Sequence, residues 1–155
     1  MKSLDLPLLK VAFFDACLNA LVAKGIEMKT EVEQLRVGIA NDSKSSMGDK
    51  YETSREMMQQ EINRLEQQIA LNAQQIFTLK SISKDKKYSQ IEKGSLVETA
   101  IGLFFISVSY GEIKANEHSC FMISEFAPLA KLLLKKKAGD IVELNKKIVK
   151  IINIY

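Results

Sequence analysis

The chain has two prolines, two cysteines and one histidine in 155 residues, and no tract of glycines. Each scarcity removes a class of protein. So little proline, alongside 46% hydrophobic and 26% charged residues, excludes disordered and collagen-like chains and leaves a sequence able to build a core. Cys17 and Cys120 are far apart in apolar surroundings, which suits buried reduced thiols and argues against a disulfide framework or a metal knuckle. His118, in a polar connection, reads as an exposed loop residue rather than a general base. No Gly-rich phosphate loop, zinc-ligand spacing or nucleophile elbow is present.

Long unbroken hydrophobic runs are missing too. Residues 6–21 are interrupted by Lys10, Asp15 and Asn19, and residues 101–108 fall short of the roughly 20 that a membrane-crossing helix needs. No transmembrane span is expected. The apolar start after Lys2 has no clean hydrophobic core or cleavage site, so a cytoplasmic protein without a membrane partner is expected. Charge is balanced at +3 overall; residues 1–82 carry 10 basic and 11 acidic groups, and residues 83–155 carry 12 and 8. That excess is too small to announce nucleic-acid binding. Lys135, Lys136 and Lys137 suit solvent and the end of a helix dipole.

What the chain has in quantity is periodicity. Phe14, Leu18, Leu21, Gly25, Met28, Val32, Leu35 and Ile39 alternate in steps of four and three, and the alternation resumes at Tyr51, Arg55, Met58, Ile62, Leu65, Ile69, Asn72, Ile76 and Leu79. Two heptad seams of this length predict two long helices packed as an antiparallel coiled-coil hairpin over residues 1–82. The turn-forming run 41–48 marks the fold point. Pairing the seams symmetrically about it sets Gly25 opposite Leu65 and Leu18 opposite Asn72. A helix of about 30 residues is roughly 45 Å long, more than a small core needs, so a protruding arm is expected.

Residues 83–155 predict a compact β-rich domain. Strands are expected at 95–100, 103–108 and 119–124, with a polar connection over 110–118. A helix is expected over 127–136 with Pro128 near its start, ended by Gly139. A terminal hairpin is expected around Asn145. The fold class is therefore α+β.

Within this half, the stretch from Phe126 through Pro128, Leu129 and Lys131 to Gly139 and Asp140 resembles the motif S-P-L-G-R-A-L-L-G-K-K-V-G-D of the bacterial Gre transcript-cleavage factors. In the first half, Tyr51 followed by Arg55 and Glu56 falls where that family shows its tip tyrosine and a basic-acidic pair. The resemblance implies an FKBP-like β-domain. It also implies binding to RNA polymerase through Lys44, Tyr51, Arg55, Pro128, Leu129, Gly139 and Asp140, with the coiled coil inserted into the secondary channel. It further implies indirect contact with nascent RNA and a monomeric chain with no active site or cofactor of its own.

In the family, tip carboxylates help hold a Mg²⁺ shared with the polymerase active centre, because Mg²⁺ prefers hard oxygen ligands. Here Lys44 and Met47 stand where those two acids belong, while Asp42, Asp49 and Glu52 are the nearby candidates. The same acids also suit a helix start, with Ser46 and Asp49 in capping-box spacing. Two other functions fit parts of the chain. The heptads alone predict a coiled-coil adaptor or dimerisation module, and the implied FKBP-like fold admits a prolyl isomerase using Phe104, Phe105, Tyr110, Phe121 and Phe126. Strand aromatics, however, more often build core.

Overall fold

Heptad-spaced apolar residues do form two long helices, α1 (Leu6–Asp42) and α2 (Gly48–Lys80). A mixed six-stranded sheet and a short helix follow. The computed structural model describes residues 3–42 and 48–155, with side chains for 3–41 and 52–155. The strands are β1 (Leu96–Thr99), β2 (Gly102–Ser107), β3 (Gly111–Ala115), β4 (His118–Ser124), β5 (Ile141–Leu144) and β6 (Lys147–Ile154), with α3 (Pro128–Leu133) between β4 and β5. Their order across the sheet is β3-β4-β2-β1-β6-β5, and only β2 and β4 run parallel.

The chain divides into two compact units, Met1–Asn19 with Phe77–Tyr155 and Ala20–Ile76. The expected division at residue 82 followed composition. The units instead part inside the helices, because the first residues of α1 supply core to the sheet: Leu6, Leu9, Phe13 and Cys17 are all buried. By length and composition α1 is also apolar enough to cross a membrane, with a mean hydropathy of 1.7 over its best window. This corrects the expectation that its charges disqualify it. Leu6, Leu9, Phe13 and Cys17 are buried in the first unit, while 39% of the apolar window as a whole is buried.

In the first unit α3 lies on one sheet face. Ala130 and Leu133 pack with Val97, Ile106, Val142, Val149, Ile151 and Ile154. Pro128 stands at the first turn of α3, where its missing N–H leaves no donor unsatisfied. Residues 110–118, expected as a connection, hold β3, and His118 is the first residue of β4 rather than part of a loop. The β3–β4 turn uses Asn116 and Glu117 at φ 51° and 65°, and the β5–β6 turn uses Asn145 and Lys146 at 51° and 66°. The expected terminal hairpin is present, and both thiols are buried and unpaired.

In the second unit, Met28, Val32, Ile62 and Leu65 form a core joined by Leu35, Ile39 and Ile69. These seven are among the residues expected on the seams, but the contacts of Asn72 differ from the expected pairing. Asn72 is buried, its Nδ2 donates to the Leu21 carbonyl at 2.9 Å, and its Oδ1 lies 2.6 Å from where a Cβ on Gly25 would stand. Asn72 therefore sits between Leu21 and Gly25 instead of opposite Leu18. Heptads offset by one repeat bury equivalent apolar surface, so hydrophobicity does not choose between them. The gap at Gly25 and the amide that fills it do. Replacing Asn72 by Leu is expected to raise stability by about 1 kcal/mol while admitting a second register. Denaturant unfolding reads the first effect, and doubled amide resonances from 20–76 read the second.

Candidate functional site

Three places carry chemistry, and each lies within one unit. In the second unit, Ile39, Glu52, Arg55, Glu56 and Gln59 line an open depression of about 340 Å³. Glu52 and Glu56 are one helical turn apart, so their carboxylates share a face of α2, and both are exposed. Arg55 occupies a seam position and is half-buried. Next to it Gly38 makes room for Met58, whose Sδ would be 3.3 Å from a Cβ at that glycine. The depression thus offers two carboxylates and one guanidinium beside the side chain of Ile39.

Of the residues the resemblance implicates near the fold point, Asp42 ends α1 while Asp49 and Tyr51 lie in the first turns of α2, their side chains outside the described set. Lys44 lies outside the described residues altogether. Glu52 and Arg55 are brought to the same depression. Among the described residues no group of three or more His, Cys, Asp or Glu side chains is placed to hold a metal ion.

The motif in the first unit is divided between structure and surface. Gly139, at φ 92°, donates its N–H to the Ile151 carbonyl at 2.8 Å. Asp140 accepts from the Lys137 N–H at 2.8 Å through Oδ2, and its carbonyl accepts from the Ile151 N–H at 2.9 Å. Together they build the turn that starts β5. Leu129 packs beside the α3 core. Pro128 is exposed, and Phe126 next to it is 73% exposed, so these two present an apolar corner to solvent.

The third place was not anticipated. Lys10, on α1, is fully buried. Its Nζ donates to the Lys86 carbonyl at 2.7 Å and to the Tyr155 carbonyl at 3.4 Å. It also stands over the rings of Tyr88 at 4.7 Å, Tyr155 at 5.3 Å and Phe105 at 5.9 Å. Burial lowers its pKa to about 8; Asp85 opposes that shift and Lys86 adds to it. Backbone oxygens and ring faces thus hold a cation that no Asp or Glu side chain hydrogen-bonds. In sequence Lys10 reads only as a break in an apolar run, since every partner is remote in the chain.

Burial raises the Cys17 thiol to about 11 and pushes Cys120 up as well, which keeps both protonated and unreactive. No protein family, curated protein or solved structure matches this chain.

Proposed function

We propose that the chain is a Gre-like transcription factor. In this reading α1 and α2 pair as an antiparallel coiled-coil hairpin, the β-domain is FKBP-like, and the hairpin tip enters the secondary channel of RNA polymerase to modulate elongation or initiation. The observation that carries the reading is the helix pair. Helices of 37 and 33 residues, separated only by residues 43–47, meet along heptad seams. Leu21 faces Asn72 whereas Gly38 faces Met58, so chain numbers rise on one helix as they fall on the other. Within the second unit α1 runs over residues 20–42, about 35 Å at roughly 1.5 Å per residue, a reach suited to a deep channel.

Modulation is favoured over transcript cleavage because Lys44 and Met47 replace the two acids the family uses. Any Mg²⁺ involved is then the polymerase's own, the action is cytoplasmic, and the chain works as a monomer. The exposed Phe126–Pro128 corner is the docking surface of the β-domain in this reading.

The test adds the full chain to purified RNA polymerase elongation complexes and measures binding, pausing, initiation and RNA cleavage. Binding with altered pausing or initiation is expected. Charge reversal at Glu52 and Arg55 is expected to weaken the effect on pausing about tenfold while leaving binding intact, because a polar interaction between the tip and the channel wall is worth about 1.4 kcal/mol. Asp42→Ala and Asp49→Ala report on cleavage. Failure to bind, with pausing, initiation and cleavage all unchanged, sinks the proposal and favours an adaptor.

A further inference from the structure

β3 pairs with β4 on one side and stands at the edge of the sheet on the other. The two-residue turn Asn116–Glu117, both at positive φ, closes on the pair Ala115 and His118. In a turn of this kind that pair is hydrogen-bonded, and bonded pairs alternate from it along the ladder. Ile113 therefore spends its N–H and C=O on Cys120, whereas those of Glu112 and Lys114 point to the open edge. Among the described residues, no backbone group outside the sheet is bonded to either of them. Both side chains are exposed and share one face, since they lie two apart on a strand.

Charges on an edge strand commonly keep other strands away. Here they permit one two-fold register and oppose its neighbours. In an antiparallel pair of identical strands, opposite residues share a face, so the axis passes through Glu112, Ile113 or Lys114. Through Glu112 it sets carboxylate against carboxylate, and through Lys114 ammonium against ammonium. Through Ile113 it sets each Glu112 opposite Lys114 of the second copy, and these are the residues whose backbone groups are free to exchange bonds. β5, the other edge of the sheet, carries Glu143 as its only charge and has no base to answer it.

We propose that the chain self-associates through β3, two copies joining edge to edge in antiparallel register about Ile113 to make one continuous sheet. A two-fold pairing of this kind closes on itself and stops at the dimer. The edge is five residues long, so the dimer is weak and exchanges with the free chain. A foreign strand would have to present a base and an acid in the reverse order at the same spacing, which β3 of a second copy does by symmetry. The inference goes beyond the Gre-like reading and does not rest on it: the monomer of that reading is the dissociated form of this dimer.

The test is sedimentation of the full chain from about 1 µM to about 1 mM, with amide spectra recorded over the same range. A reversible rise in mass toward the dimer is expected, with the largest amide shifts at Glu112 and Lys114. Lys114→Glu and Glu112→Lys are each expected to weaken association about tenfold or more, because each sets like charges opposite one another. An equimolar mixture of the two variants is expected to associate about as well as the parent, since every cross-strand pair in the mixed dimer is again an acid with a base. Both positions are exposed, so the variants keep the fold, which unchanged amide spectra elsewhere will show. The proposal is overturned if the chain stays monomeric throughout, if either variant alone associates as the parent does, or if the mixture fails to recover. A dimer whose shifts lie along the helical seams rather than at β3 overturns it in favour of a coiled-coil module. Growth past the dimer overturns it in favour of open-ended strand addition.

Discussion

Replacing Lys10 by glutamate is expected to cost about 3–5 kcal/mol and to leave the sheet-bearing unit largely unfolded at ambient temperature. The wild-type ammonium donates to two carbonyls and faces three rings. A carboxylate in its place would accept nothing from those carbonyls and would face the negative side of each ring. Lys10→Met separates shape from charge. It keeps the unbranched stem but takes the ammonium from the Lys86 carbonyl, a loss of about 1–3 kcal/mol, while the Tyr155 oxygen still accepts from the Leu96 N–H at 2.8 Å. Urea unfolding of the full chain followed by circular dichroism ranks the three proteins. A Lys10→Glu variant as stable as Lys10→Met would show the site to be wet and the cage unimportant.

The pH dependence of the same site has a definite sign. The folded pKa of Lys10 is lowered to about 8 from 10.5, so above pH 8 the folded chain releases a proton that the unfolded chain retains. Stability from this group therefore rises with pH, by about 1–2 kcal/mol between about pH 8 and about pH 9.5. Cys17 and Cys120 act in the opposite direction. Their folded pKa values are raised, so their contribution is complete below the ordinary thiol range and falls as pH climbs above it. The informative quantity is the difference between wild type and Lys10→Met, in which the thiols cancel. That difference should shift in favour of wild type across the window. A flat difference would place the Lys10 pKa near its ordinary value.

The helices were legible in the sequence because a seam of alternating four- and three-residue steps persists over many turns, and a single misplaced residue does not erase it. Their register was not, since it turns on one glycine and one asparagine that fit equally well on paper one repeat away. β3 escaped for a different reason. As an edge strand it buries only Ile113 among Gly111, Glu112, Ile113, Lys114 and Ala115, and its turn uses Asn116 and Glu117 at positive φ with no glycine to mark it. The matching β5–β6 turn was found because apolar runs flank it on both sides. α3 ends at Leu133, earlier than its apolar pattern implied, because Lys135 turns to φ 68° and the Ile91 N–H and carbonyl pair with Lys136 and Lys135. In the candidate sites, Glu52 and Arg55 were named from sequence and meet at one depression, whereas the Lys10 cage joins α1 to residues 86, 88, 105 and 155 and has no local signature.

The cage also explains why Gly94 should be among the least replaceable residues of the sheet-bearing unit. Gly94 is buried at φ 102°, and its N–H donates to the Ile106 carbonyl at 2.7 Å, which fixes it at the sheet. A Cβ there would stand 2.6 Å from the Tyr88 hydroxyl, 3.2 Å from its Cζ and 3.3 Å from Ile82 Cγ2. Tyr88 is the ring closest to the Lys10 ammonium. Gly94→Ala therefore combines backbone strain with displacement of a cage wall, and is expected to cost about 3 kcal/mol. Gly111 isolates the first component, because it has nearly the same φ, 100°, and nothing within 4 Å of an added Cβ. Gly111→Ala is expected to cost only about 1 kcal/mol. If the excess at Gly94 comes from unseating Tyr88, the double variant with Lys10→Met should be less damaged than the two single losses summed, by about 0.5–1 kcal/mol, since the second change disturbs a cage already broken. Equal losses at Gly94 and Gly111, or strict additivity with Lys10→Met, would mean that Tyr88 yields freely and that the ammonium depends on its carbonyls alone.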